Sequence, residues 1–105
     1  MMNEQATLVT ITASGATLTR KETTLFCDKK SVRYGEFYAA TQVGINPKYT
    51  FEFNQEEYDT AIVTTGEGAS EEKHRPTELI YKGERFNIIR TYEPSVYSIE
   101  VTVGL

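Results

Sequence analysis

The stretch TELIYKGERFNIIRTYEPSVYSIEVTVGL, residues 77–105, decides the fold, because it holds three segments typical of β-strands and one clear tight turn. The segments are residues 78–81, 85–92 and 96–103. In the third, apolar and polar residues alternate, which is the period of a strand with one buried face; its apolar side consists of Tyr97, Ile99, Val101 and Val103. Gly83 supplies the positive φ that a short hairpin needs. These residues predict a three-stranded antiparallel meander with one apolar face.

More strands are predicted upstream, over residues 7–12, 17–28, 48–54 and 58–65. The clearest period lies in the third of them, where Tyr49, Phe51 and Phe53 share one face. In residues 17–28, Leu25 and Cys27 fall on the face opposite Phe26. The upstream strands therefore supply apolar faces that can cover the meander.

The connections are predicted from Gly, Pro and helical spacing. Residues 32–42 have the spacing of one short helix, which Gly35 weakens by about 1 kcal/mol relative to Ala. Residues 66–76 are predicted to be an exposed, mobile loop. Pro94 cannot donate to a sheet ladder, so we expect the second strand of the meander to end before it. The predicted fold is mainly β: a small antiparallel β-barrel or sandwich with one short α-helix, in a single domain over residues 1–105 with a flexible insert at about 62–76.

Composition limits the classes of function. A chain of 105 residues with 39% hydrophobic content forms one domain with a modest core. It has no run of about 18 apolar residues, which argues against a membrane span, and its first residues lack the pattern of a signal peptide, which favours the cytosol. The single cysteine fits a reducing compartment. A net charge of -4 argues against nucleic acid as the main ligand, since phosphate binding needs a basic surface.

Two side chains are candidates for chemistry. His74 follows Glu71 and Glu72, a set that could ligate a metal, but no second His or Cys is near and an exposed polar loop is the simpler interpretation. Cys27 precedes two lysines, which would lower a thiol pKa, but its inward strand position is typical of a small core residue. We therefore predict that the chain is not an enzyme and uses no metal or cofactor.

Charge is unevenly distributed along the chain. Residues 20–33 hold five basic and two acidic residues, 5 − 2 = +3, whereas residues 52–72 hold seven acidic residues and no basic one. An ordinary distribution of charged side chains over the surface accounts for this difference along the sequence. Alternatively, opposite charge at two ends of the domain would let copies associate head to tail. The candidate basic interface residues are Arg20, Lys21, Lys29, Lys30 and Arg33. The candidate acidic interface residues are Glu52, Glu56, Glu57 and Asp59.

Four segments occur in a recognisable order: SVRYGEFYAA (31–40), VGINP (43–47), YTFEF (49–53) and IYKGERFNIIRTY (80–92). Over about residues 31–103 they resemble the head closure, or stopper, proteins that join head and tail in tailed bacteriophages. Those proteins share an Arg-x-x-Glu-Phe-Tyr-x-Ala segment with Gly-x-x-Pro, and a Tyr-x-Gly-x-x-Tyr/Phe-x-Ile-x-Arg-Thr-Tyr hairpin before a final strand. This chain departs from that pattern in a longer stretch over residues 62–75.

The resemblance implies a structural role in the virion neck, after assembly in the bacterial cytoplasm. A small β-barrel would form the wall of a dodecameric ring, below the portal and adaptor and above the tail terminator. The ring would close the DNA exit and give the tail a docking platform, with DNA passing through without sequence-specific binding. Many such proteins are monomers until they meet their platform. The resemblance also implies a loop that reaches the channel or a partner, and the candidate loop residues here are Glu67, Glu71, Glu72, Lys73, His74 and Arg75.

Two other classes stay open. A small barrel that binds peptides or single-stranded nucleic acid would need an exposed aromatic platform, for which Tyr81, Tyr92 and Tyr97 are candidates among several acidic neighbours. A small enzyme would need Cys27 or His74 in a pocket.

Overall fold

The computed structural model of the chain describes residues 2–30 and 47–104. Its elements within these ranges are β1 (Glu4–Ser14), β2 (Thr17–Lys30), β3 (Pro47–Asn54), helix α1 (Gln55–Asp59), β4 (Val63–Thr65), a 3-10 turn (Gly68–Ser70), β5 (Glu72–His74), β6 (Glu78–Tyr81), β7 (Glu84–Ser95) and β8 (Ser98–Gly104). The predicted mainly β, antiparallel fold is confirmed. The helix predicted over residues 32–42 lies outside the described residues.

Six of these strands close into an antiparallel barrel in the order β1-β2-β3-β8-β7-β6. The β1–β2 hairpin is paired along its whole length, from Glu4 opposite Cys27 to Ser14 opposite Thr17. Both of its links to the rest of the barrel are short: β1 pairs with β6 at three positions, and β2 pairs with β3 at three. The hairpin is therefore anchored at its base, and its far half extends beyond these ladders.

Glycines with positive φ form the turns of two hairpins. Gly15, with φ of 61°, is the first of two loop residues between β1 and β2, the position that a type II′ turn gives to glycine. Lys82 and Gly83, with φ of 50° and 79°, connect β6 to β7, and positive φ at both positions defines a type I′ turn. The predicted turn at Gly83 is confirmed.

The barrel interior is filled by apolar residues from all six of its strands, and Tyr58 and Ala61 belong to the same core. An aromatic cluster lies within it: the Phe51 and Tyr81 ring centroids are 4.8 Å apart, and the Tyr49 ring meets the Phe86 ring edge to face at 5.5 Å. Such pairs add about 0.5–1.5 kcal/mol each beyond the area they bury. The predicted inward faces of β3 and β8 are confirmed at Phe51, Phe53, Ile99, Val101 and Val103. The prediction that the last strand has one buried face is wrong, because Glu100 and Thr102 on the other face of β8 are buried as well.

The strand predicted over residues 58–65 is wrong in its first half. The Asn54 side chain accepts hydrogen bonds from the backbone N–H groups of Glu56 and Glu57, which begins α1 with two acidic residues in its first turn. Tyr58 then enters the core from the helix, and only β4 remains as strand. The N-cap competed successfully with the weak strand propensity of this segment.

The predicted end of the second meander strand is also wrong. β7 continues through Pro94 to Ser95, and its register with β8 shifts between Tyr92 and Ser95. A bulge of this kind tolerates a residue without an N–H group. Val96 and Tyr97 form the turn, so Tyr97 is 79% exposed and does not belong to the buried face of β8.

The loop predicted over residues 66–76 contains regular structure. β4 and β5 pair as a small hairpin from Val63 opposite His74 to Thr65 opposite Glu72, and Pro76 is buried. Gly66 lies in its connection with φ of 81°, where an added Cβ would clash with the Ser70 carbonyl oxygen. The flexibility predicted for residues 62–76 stays a prediction.

Candidate interaction surfaces

Cys27 and His74 lie in different sheets. Cys27 is fully buried in the barrel core, which confirms its predicted core position. Burial, with help from Glu4 and Asp28, raises the pKa of the Cys27 thiol to about 12, so the thiolate that a nucleophile needs is scarce at neutral pH. His74 is in β5, where its Nε2 atom is 2.8 Å from the Thr65 hydroxyl.

The basic candidate residues occupy both ends of one long strand. Arg20 and Lys21 lie in the far half of β2, whereas Lys29 and Lys30 are its last residues. At about 3.3 Å per residue, nine positions separate the two pairs by roughly 30 Å. Arg33, the fifth candidate, is outside the described residues. The basic residues of β2 therefore do not form one patch.

Basic and acidic candidates also meet within the same molecule. The Lys30 ammonium is 3.2 Å from the Glu52 carboxylate and 3.7 Å from that of Glu100. Lys21 donates to the backbone carbonyl of Thr60, directly after Asp59, at 2.6 Å. The predicted separation of charge into two ends is therefore wrong for these residues, because the barrel brings β2 alongside β3 and α1. The interface role of the individual residues stays a prediction.

Arg20 spans the outer face of the barrel between two carboxylates. Its guanidinium is 3.6 Å from Glu22 and 3.5 Å from Glu78, which also pairs with Arg85 at 3.7 Å. In the strand register Val9 stands between Glu22 and Glu78, and it is fully buried. This ion network covers an apolar residue of the outer wall.

The candidate loop residues lie on the β4–β5 hairpin and around it. Lys73 and Arg75 line a cavity of about 340 Å³ together with Asp59. Burial raises the pKa of the Tyr58 phenol, and the nearby Arg75 guanidinium opposes this rise. Glu67, Glu71 and Glu72 are exposed. Of the candidate loop residues, Lys73 and Arg75 therefore line the same cavity, whereas Glu67, Glu71 and Glu72 are exposed to solvent.

The predicted aromatic platform is not assembled. Tyr81 is only 5% exposed and packs within the core, whereas Tyr92 is on β7 and Tyr97 is at the β7–β8 turn. The lysines near Tyr81 contact its ring: the ammonium groups of Lys29 and Lys82 lie 5.7 Å and 5.4 Å from the ring centroid. Tyr81 therefore stabilises the fold and does not offer a stacking surface.

Large apolar side chains are exposed at two hairpin tips. Leu18 is 71% exposed at the β1–β2 tip, and Val96 and Tyr97 are each 79% exposed at the β7–β8 tip. Sequence reasoning missed Leu18 because it continues an alternating strand pattern. Its position three residues after Gly15 could have indicated exposure, because few neighbouring residues can cover a side chain next to a hairpin turn.

A groove of about 680 Å³ crosses the outer face at the base of the β1–β2 hairpin. Its walls include Thr7 and Thr24, whose hydroxyl oxygens are 2.8 Å apart, and Phe26, which is 54% exposed. The opposite wall is the β6–β7 turn with Ile80 and Lys82. The groove exists because the β1–β6 ladder ends at Thr7 and leaves the first residues of β1 apart from that turn.

No protein-family model and no curated protein matches this chain. Within residues 2–30 and 47–104, no cluster of three or more His, Cys, Asp or Glu side chains is arranged to hold a metal ion. None of the helices in the described part of the chain is both long and apolar enough to span a membrane.

Proposed function

We propose that this chain is a structural protein of the tailed-phage neck, a ring subunit between the portal and adaptor above and the tail below. As a ring it would close the DNA exit channel after packaging and present the platform on which the tail docks. It would assemble in the bacterial cytoplasm and act through contacts with copies of itself and with its neighbours in the virion.

The observation that carries this proposal is where two of the four resembling segments lie in the fold; residues 31–40 and most of 43–47 are outside the described residues. The YTFEF segment is in β3, the long hairpin segment spans the end of β6 and most of β7, and the final strand is β8. These strands are consecutive in the barrel, in the order β3-β8-β7-β6. Segments that are separated in sequence thus form one continuous wall, which supports reading the resemblance as a shared architecture.

The distribution of apolar surface supports a docking role. Leu18, Val96 and Tyr97 are exposed at turns, where they add nothing to the core. Large apolar side chains at such positions are typical of contacts with other proteins when they cluster at an edge. A protein that assembles through its hairpin tips would have this surface.

Net charge bears on the passage of DNA. At -4 the chain repels a polyanion overall, and all six acidic residues from Glu56 to Glu72 are exposed, on α1 and on the β4–β5 hairpin with its connection. An acidic surface along a channel favours passage of DNA over its retention by the wall.

Negative-stain microscopy and mass photometry test this function. The full chain is examined alone and after mixing with capsids that carry portal and adaptor but lack the protein below them. We expect an added ring on the connectors and restored DNA retention, whether or not the free protein is monomeric. Connectors that stay unchanged at saturating protein would refute the proposal.

A deletion of residues 68–75 examines the β4–β5 hairpin in the same assay. Those residues are outside the core cluster in the described structure, so we expect the variant to fold while DNA retention or tail attachment changes. Loss of the cooperative unfolding transition would show instead that the hairpin belongs to the folding core.

The binding-module alternative has a direct test. Titration with fluorescent single-stranded DNA at about 50 mM salt should show no saturable binding, because Tyr81 is buried and the chain is acidic. Saturable binding that depends on Tyr92 or Tyr97 would favour the alternative.

A further inference from the structure

The tip of the β1–β2 hairpin is an exposed and uncharged strand pair. Residues Gln5 to Thr19 include no charged side chain, and residues 17–22 are exposed on both faces of β2. Exposed strand edges in native proteins usually carry lysine, proline or a bulge, which prevent pairing with other chains. Between Thr12 and Thr19 the tip has none of these devices, although Arg20 and Lys21 follow directly on β2, and Leu18 extends from the tip with 71% of its surface exposed. The tip therefore has the properties of a contact surface.

The groove at the base of the same hairpin matches this tip in polarity. Its wall on the hairpin side includes uncharged residues such as Thr7, Thr24 and Phe26, while Glu4 and Lys82 supply its charged groups. Phe26 keeps 54% of its surface exposed there. An uncharged tip with one apolar side chain can contact the groove beside Phe26 without bringing a charge of its own into it.

From these two features we propose that Leu18 at the β1–β2 tip of one copy seats in the groove beside Phe26 of the next copy. The inference rests on the proposed ring. Leu18 and Phe26 lie on the same face of β2, eight residues apart, which separates tip and groove by roughly 26 Å. Two different patches at opposite ends of one hairpin produce a head-to-tail contact, and such contacts close into a ring when the rotation from one copy to the next closes.

Charge disfavours the reciprocal dimer in which two hairpins exchange tips. Its two-fold axis would pass midway between Leu18 and Phe26, which places Glu22 against Glu22 of the partner copy. Like charges directly opposite each other are destabilising. A head-to-tail contact keeps the network of Arg20, Glu22 and Glu78 in solvent.

A contact made through one hairpin tip is too weak to hold two free copies together, because association costs translational and rotational entropy. Copies gathered on a platform meet at a high effective concentration, and the same contact then persists. The same weak contact thus accounts for a monomer in isolation and for a ring on the connector.

Cross-linking tests the contact in the full chain. Leu18→Cys and Thr24→Cys variants are mixed at high concentration and treated with a short bismaleimide; native Cys27 is fully buried and gives little background. The matched control pairs Leu18→Cys with Val96→Cys, which is even more exposed. We expect at least a tenfold higher yield of mixed dimer from the first pair. Equal yields would overturn the proposal.

Cross-linking of the doubly substituted Leu18→Cys/Thr24→Cys chain distinguishes head-to-tail association from the reciprocal two-fold dimer. A ladder of trimers and larger species is the expected result. A product that stops at the dimer would show reciprocal pairing and would overturn the head-to-tail contact.

Assembly on connectors separates failure of this contact from failure of the proposed function. Leu18→Asp should reduce ring formation at least tenfold, whereas Val96→Asp should not reduce inter-subunit cross-linking at the groove. Normal rings of Leu18→Asp would overturn the contact and leave the neck function intact. Wild-type protein that cross-links through the groove but never binds connectors would refute the neck function alone.

Discussion

The Thr10→Val substitution should destabilise the protein through one buried hydrogen bond. Thr10 is fully buried on β1, and its hydroxyl donates to the Ala61 carbonyl oxygen at 2.6 Å across 51 residues of sequence. Valine has nearly the same shape but cannot donate, so the Ala61 carbonyl would be left without this partner in a buried site. The bond ties the middle of the β1–β2 hairpin to the segment that follows α1.

The cost follows from the burial of both groups. A lost hydrogen bond costs about 0.5–1.5 kcal/mol, and an unsatisfied buried acceptor adds to this, while the extra methyl group recovers part; a net loss of about 1–2 kcal/mol results. For a domain of this size that corresponds to roughly 5–10 °C in Tm. The segment should also open more easily, so the amides of residues 60–62 should exchange faster.

Urea denaturation followed by circular dichroism measures the loss, with an unchanged m-value as the sign that only stability has changed. The matched control is Thr7→Val, because the Thr7 hydroxyl meets Thr24 on the exposed face, and such changes usually stay within about 0.5 kcal/mol. If both variants unfold at the same urea concentration, the Thr10 hydroxyl does not stabilise the fold in the way described.

Three further predictions concern a turn, an ion cluster and a thiol. Lys82→Asn should stabilise by about 0.5–1 kcal/mol, because asparagine tolerates the positive φ that lysine is forced to adopt there, and a lower urea midpoint would contradict this. Lys30→Met should cost about 1–2 kcal/mol, because it removes a partly exposed cation from between the Glu52 and Glu100 carboxylates; a calorimetric Tm equal to wild type would argue against it. Burial and two carboxylates raise the pKa of Cys27 from 9.0 to about 12, so its contribution to stability is complete below pH 9 and is lost as pH rises towards 12. Urea titrations from pH 8 to 10.5 should show this decline in the wild type and a smaller one in Cys27→Ala.

The positions of strands and their buried faces could be predicted to a large extent. In β3 the aromatic residues Tyr49, Phe51 and Phe53 alternate with polar residues. This two-residue period predicts which side chains of the strand point into the core. Gly83 predicted its turn because few other residues adopt that conformation easily. Prediction failed at α1 and at Pro94, where an N-cap and a bulge outweighed local propensity.

The interaction surfaces could be predicted only in part. The sequence shows the basic residues of β2. It does not show the partners of Lys21 and Lys30, because these come from the end of α1, from β3 and from β8. Tyr81 was a candidate for an exposed aromatic platform in the binding-module alternative, yet the closed barrel buries its ring against Phe51. The groove could not be foreseen, since it arises where the ladder between β1 and β6 ends.

The sequence by itself determined the alternating apolar face of β3, the sharp turn at Gly83 and the negative net charge. These are properties of single residues and of neighbours along the strand. Only the tertiary structure decided that β3 pairs with β8, that opposite charges meet within one molecule, and that an uncharged hairpin tip stays in solvent. The physical reason is that strand pairing joins residues such as Phe51 and Val101, fifty positions apart, and their contact depends on how the whole barrel closes.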